Sequence, residues 1–160
     1  MANLTEGAIA PDFTLPRDGG GTVSLGDFNG KSVVLFFYPK DDTSGCTTES
    51  IAFSGLLSEF SQAGTVVIGM SPDSVKKHDK FVKKYDLSVI LASDEDLSVL
   101  NSYGVWMEKS MYGRKYMGVE RTTLLIGPDG VIRRIWPKVK VAGHAEEVLA
   151  AAKNLAGGTL

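Results

Sequence analysis

With 160 residues, 43% apolar and 22% charged, the chain has a globular composition that excludes intrinsic disorder. A formal net charge of -2 leaves no basic footprint for nucleic acid. No apolar run approaches the roughly 20 residues of a membrane helix, and residues 1–6 lack a basic start followed by an apolar stretch, so we expect a cytoplasmic protein without signal peptide or membrane partner.

The length fits one domain over 1–160, with no repeat or linker to divide it. Residues 1–10 read as a loosely held arm. Residues 12–16 alternate polar and apolar and meet Pro16, which predicts a short edge strand. The turn cluster Gly19-Gly20-Gly21 and the alternating stretch 22–25 complete an N-terminal β-hairpin. Residues 33–38 form an unbroken apolar run, the signature of a strand buried on both faces. A helix is expected from Cys46 to about Gln62, with Gly64 as its stop. Residues 65–70 are a second buried strand. Ser71 and Pro72 read as cap and first residue of a helix over about 73–85.

A short strand follows at 89–92. Asp94-Glu95-Asp96 then opens a short helix to about Tyr103, because acidic side chains suit the positive end of a helix dipole. Residues 104–120 lack periodicity and read as a loop. Strands at 122–126 and 131–136, joined by Gly127-Pro128-Asp129-Gly130, form an antiparallel pair. A last helix is expected from about His144 to Leu155. This order predicts an α/β fold with a mixed central sheet flanked by helices.

Cys46, the single cysteine, lies where a buried strand hands over to a helix. It cannot form an internal disulfide, in keeping with a reducing compartment. Free cysteine is often only a small core residue. The small polar lead-in Thr43-Ser44-Gly45 instead predicts a reachable sulfur, and the unpaired amides of a first helical turn favour an anion there. An ordinary thiol is already a few per cent thiolate at neutral pH, so full ionisation gains at most about 30-fold in nucleophile. Fast chemistry must therefore come from positioning and from donors to the leaving oxygen.

Thr43 is one candidate donor: its hydroxyl turns back to the sulfur, holds a hydroperoxide, or only caps the helix. Pro39 walls the site or merely ends the strand. Arg121, before the strand at 122–126, is the best cation, since its fork can donate to a sulfur and an oxygen together; the alternative is a surface arginine. Glu49, on the same helix side as Cys46, holds Arg121 or is solvated. His78, on a helix with Asp79 and several lysines, reads as a packing or surface residue and His144 as a terminus residue, and with one cysteine they make no zinc set.

The stretch from Pro39 to Cys46, with Thr43 between, resembles the peroxiredoxin signature, and Thr47-Thr48-Glu49 continues it. Tyr103-Gly104-Val105-Trp106, Tyr112-Gly113-Arg114 and Arg121-Thr122-Thr123 resemble later landmarks of the bacterioferritin-comigratory-protein branch, also called PrxQ. The resemblance implies a thioredoxin-like fold and a thiol-dependent peroxidase without metal or organic cofactor. In it Cys46 is the peroxidatic cysteine, Thr43 and Arg121 orient the peroxide, and Pro39 shields the sulfenate.

Many members of that branch carry a resolving cysteine at places held here by Ile51 and Val82. A one-cysteine mechanism is therefore expected, with an external thiol reductant: thioredoxin, glutaredoxin or glutathione. A monomer or weak homodimer is the default of the branch. The alternative is a peroxide sensor or relay that passes oxidation from Cys46 to a partner protein. A disulfide oxidoreductase would need a second cysteine at position 49, which is Glu49.

Overall fold

A computed structural model of the chain describes residues 4–158. Its central strand, β3 (Ser32–Phe37), is buried at every position. It runs parallel to β4 (Thr65–Ser71), which runs parallel to β5 (Ile90–Ser93). On its other side β3 pairs antiparallel with β8 (Thr122–Ile126), and β8 pairs antiparallel with β9 (Ile132–Trp136). The five-stranded sheet thus has the order β5-β4-β3-β8-β9.

Alternation along β3 supplies both faces. Val34, Phe36 and Tyr38 point into a layer with Phe53, Phe60, Phe81, Val148 and Leu149, which come from α1 (Ser44–Gly55), α2 (Leu57–Gln62), α3 (Val75–Tyr85) and α5 (His144–Ala156). Val33, Leu35 and Phe37 point into the opposite layer. That layer is closed by the hairpin β1 (Thr14–Pro16) and β2 (Thr22–Ser24), and by Val99, Leu100 and Tyr103 on and after α4 (Ser98–Ser102). The thioredoxin-like architecture expected from the sequence is present.

Several local expectations are corrected. The first three residues of the expected arm lie outside the described residues. The rest is not loose: Gly7 N–H donates to Ile132 O at 2.8 Å, Ile132 N–H to Ala8 O at 2.8 Å, and Ala10 N–H to Gly130 O at 2.9 Å. The expected helix to Gln62 is two helices with a break at Leu56, just after Gly55, a poor helix former. Ser71 does not cap a helix. It ends β4 opposite Ser93, and Ser74 caps α3 by accepting from Lys77 N–H at 3.2 Å. The short helix begins at Ser98, later than expected. Asp94 acts from outside it, accepting from Leu100 N–H at 2.7 Å.

The largest correction concerns 104–120. This stretch is a hairpin of β6 (Trp106–Met111) and β7 (Arg114–Val119), turned through Tyr112 and Gly113, both at positive φ. Among the described residues its strands pair only with each other, and they stay mostly exposed, so they carry no clean apolar alternation to read. The usable signal is the turn itself, since two-residue hairpin turns need positive φ at both central positions and glycine supplies one.

Gly69 on β4 is fixed by close packing. A Cβ there would stand 2.6 Å from Phe36 Cζ and 2.9 Å from Leu91 Cδ2. Phe36 in turn stacks on Phe53 of α1 at 4.7 Å between ring centroids. Gly69→Ala should therefore destabilise the protein by about 1–3 kcal/mol, the usual cost of overpacking a core. A urea titration of both proteins checks this through the midpoint.

Candidate active site

Two segments far apart in sequence meet at the end of β3. The loop after β3 and the first turn of α1 bring Thr43, Gly45 and Cys46. One turn further, α1 brings Glu49. The short connection from β7 to β8 brings Arg121, and the sheet order places β8 beside β3. Arg121 Nη2 donates to Cys46 Sγ at 3.1 Å, and Nη1 donates to Glu49 Oε1 at 2.6 Å. One guanidinium therefore bridges the sulfur and a carboxylate. Charge-assisted bonds of this kind are roughly twice as strong as neutral ones.

The surrounding backbone fits this bridge. Gly45 has no Cβ; one placed there would stand 3.3 Å from Arg121 Nη2. The carbonyl of Arg121 accepts from Val139 N–H at 2.9 Å, which ties the loop before α5 to the same residue. Val141 on that loop also lies beside Gly45.

Glu49 is 1% exposed, and its second oxygen, Oε2, is buried without a partner among the described residues. Burial pushes its pKa up to about 7, against the charge and hydrogen bond of Arg121, which pull it down. Its ordinary value is 4.5. The contribution of this group to stability is thus present below about 4.5 and lost as pH rises through about 7.

The family model described as the AhpC/TSA family matches residues 7–135, which include all of these groups. The chain belongs to the peroxiredoxins. It is 54% identical over 147 residues to a Bcp-type peroxiredoxin of Coxiella burnetii, covering 92% of this chain and 97% of that one. It is 44% identical to peroxiredoxin Bcp of Bacillus subtilis, covering 93% and 95%. A solved structure of the Xanthomonas campestris bacterioferritin comigratory protein superposes with a TM-score of 0.86 at 45% identity, covering 90% of this chain and 92% of that one. A Xylella fastidiosa PrxQ structure gives 0.92 at 39% identity, covering 98% and 99%. The relationship places this peroxiredoxin in the Bcp/PrxQ group and makes it a thiol-dependent peroxidase.

Two structures of the Xanthomonas campestris protein carry serine in place of cysteine at two different positions. Their spacing equals that from Cys46 to Val82 here. This peroxiredoxin has Val82 there, on α3 against the apolar layer, and an exposed Ile51 at the other expected place. Cys46 is its one cysteine.

The structure corrects the expected exposure of Cys46. Cys46 is 1% exposed, because its side chain turns inward off the first turn of α1 and belongs to the layer that holds Phe53 and Trp136. Arg121, at 18%, stands over it. Thr43 also differs from one expectation. It occupies the N-cap position, but its hydroxyl donates to Lys40 O at 2.8 Å and makes no capping bond. Pro39 is half-buried at the start of the same loop.

Lys109 escapes the sequence reading because its stretch reads as a loop. Its stem lies against Gly118 across the hairpin, and it feels the charges of Arg121 and Cys46; burial and Arg121 hold its pKa below the usual lysine range. His78 is buried beneath the cysteine loop, with Asp41 on its Nδ1. Among the described residues no group of three or more His, Cys, Asp or Glu could hold a metal ion.

The state of Glu49 gives a pH signature. Glu49→Gln keeps an acceptor for Arg121 but removes the charge. Its peroxide oxidation rate should fall by roughly 10-fold at pH 8, the low end of what a charged hydrogen bond contributes. Below about pH 7 the wild-type carboxyl is itself protonated, so the two rates should converge there. Stopped-flow oxidation rates measured from pH 6 to 9 check this.

Proposed function

We propose that Cys46 reduces hydrogen peroxide and organic hydroperoxides by a one-cysteine mechanism. The observation that carries this reading is the Arg121 guanidinium bonded at once to Cys46 Sγ and Glu49. The Cys46 thiolate attacks one peroxide oxygen. A sulfur–oxygen bond forms, the oxygen–oxygen bond breaks, and the leaving oxygen departs as alcohol or water once protonated. Cys46 is left as a sulfenic acid. Arg121 donates to the developing negative charge on the leaving oxygen, the role of a preorganised oxyanion donor. Thr43 uses the lone pairs left free by its bond to Lys40 O to accept from the peroxide hydroxyl. Pro39 limits water at the mouth of the site.

An external thiolate then attacks the sulfenic sulfur. The hydroxyl leaves as water and a mixed disulfide remains. A second thiol displaces Cys46 from it and restores the thiolate. Two thiols are oxidised to one disulfide for each peroxide reduced. Thioredoxin, glutaredoxin and glutathione are the candidate reductants, the compartment is the cytoplasm, and the whole chain works as one domain, as a monomer or weak homodimer. The finding that favours an outside thiol is the absence of a second cysteine in the chain.

A single-turnover experiment tests the reading. Reduced protein is mixed with one equivalent of hydrogen peroxide, and dimedone is added to trap a sulfenate for mass spectrometry. The expected result is one adduct on Cys46. Thioredoxin, glutaredoxin and glutathione are then supplied one at a time with excess peroxide, and at least one should sustain turnover. Absence of the adduct would contradict the peroxidase mechanism. A single oxidation that ends in a stable mixed disulfide with one protein would favour the relay reading.

A further inference from the structure

The loop from β3 into α1 is fastened to α3 at two points, neither of which touches the sulfur. Asp41, buried, accepts from the Tyr38 hydroxyl at 2.6 Å and faces His78 Nδ1 at 2.7 Å. The Asp41 N–H donates to Asp73 Oδ2 at 2.8 Å. His78 is 0% exposed, and its Nε2 faces the Ala92 carbonyl of β5 at 3.0 Å. The next residue, Asp42, sits at φ +61°, in the left-handed region that aspartate enters more readily than most non-glycine residues. It is held by Lys84 Nζ at 2.8 Å and by the Tyr85 hydroxyl. Thr43 follows Asp42 directly in the chain and leads through Ser44 and Gly45 to Cys46.

We propose that His78 is a positioning residue for the reaction at Cys46: through Asp41 it clamps the loop 39–43 onto α3, and release of this clamp admits the outside thiol. The inference rests on the one-cysteine reading above. A carbonyl and a carboxylate only accept hydrogen bonds, so the ring must carry both protons to serve both partners. His78 is then an imidazolium locked between Asp41 and β5. Burial works to lower its pKa, but the hydrogen bond and charge of Asp41, the Ala92 carbonyl and the charge of Asp73 outweigh it and raise the value above 6.5. These are the charged groups that face it: Asp41 from the cysteine loop and Asp73 from the turn before α3. The clamp therefore contributes its full stability below about 6.5 and loses it as pH rises through the raised value.

The clamp matters because the two half-reactions ask for different things. Hydrogen peroxide is small and needs the closed geometry in which Arg121 and Thr43 are in place. A thiol carries carbon substituents and must reach a sulfur that is 1% exposed, so the loop or the first turn of α1 has to move. Loosening the clamp should slow oxidation and speed access.

The wild-type chain has two histidines, which makes the first test direct. A nuclear magnetic resonance titration of the ring signals should show His78 doubly protonated through neutral pH. His144, buried and also subject to the charge of Arg121, should titrate below the ordinary value. A neutral His78 at pH 6 would overturn the clamp. The second test compares alkylation of reduced Cys46 by iodoacetamide with its reaction with the bulkier Ellman reagent, from pH 6 to 9, for wild type, Asp41→Asn and His78→Gln. In the wild type the bulky-to-small ratio should rise with pH. In either variant it should be higher by about 10-fold and flat, while peroxide oxidation falls by about 10-fold, less than the ~100-fold that a 1 Å misplacement can cost. A merely structural pair would leave the pH profile of the ratio unchanged, and that result would overturn the proposal. If His78→Gln does not fold, Asp41→Asn and the wild-type titration still decide. The access ratio needs no peroxide, so failure of the functional reading would show separately, as a wild type that forms no sulfenate.

Discussion

A single guanidinium held between a buried carboxyl and a buried sulfur is the constraint on which this structure turns. Arg121 cannot lose its charge, and among the described residues neither Glu49 nor Cys46 has another cation bonded to it. The guanidinium's two bonds fix the carboxyl and the sulfur relative to one another, so the geometry of the three is set jointly. The sheet order serves this requirement. β8 must lie beside β3 for Arg121 to stand over the first turn of α1, and the missing side chain of Gly45 leaves the guanidinium room, since a Cβ there would stand 3.3 Å from Nη2. The pull between burial and pairing at Glu49 leaves its carboxyl near its titration point at neutral pH, which makes the grip on Arg121 adjustable.

How much of this can be read in advance follows from where each signal resides. β3 and β4 are legible because strands buried on both faces must be continuously apolar. α5 is legible because one face of it packs and the other does not. Cys46, Thr43 and Arg121 can be singled out as candidates from residue type and place in the chain, and the fold brings Arg121 to Cys46. Their burial is not legible, because a small polar lead-in marks a helix start without telling which way the next side chain turns. The hairpin β6–β7 escapes because strands that pair only with each other, in the open, have no core to impose alternation on them. His78 reads as either packing or surface, and the fold decides for burial. Its partner Asp41 is distant in sequence, and only the fold brings α3 under the loop before Cys46.

In the proposed mechanism, burial of Cys46 changes how the catalytic cycle divides. The closed arrangement is suited to a small oxidant: Arg121 is already bonded to the sulfur, and Thr43 is fixed by Lys40 O. It is unsuited to a thiol of any size. With Val82 at the spacing of the second cysteine of the Xanthomonas campestris relative, the chain has no thiol of its own to send inward. On the proposed reading, oxidation depends on the loop being held, and reduction on its being released. The contacts that hold it belong to α3, an element that supplies no reacting group.

The most direct measurement of the central claim is the second-order rate of Cys46 oxidation by hydrogen peroxide in Arg121→Ala, followed by stopped flow against wild type. Loss of the cation leaves Glu49 free to take up a proton, so the variant need not carry an unpaired buried charge. The account predicts a fall of about 100-fold or more, the scale of removing an oxyanion donor. A rate within about 2-fold of wild type, far inside that scale, would contradict it.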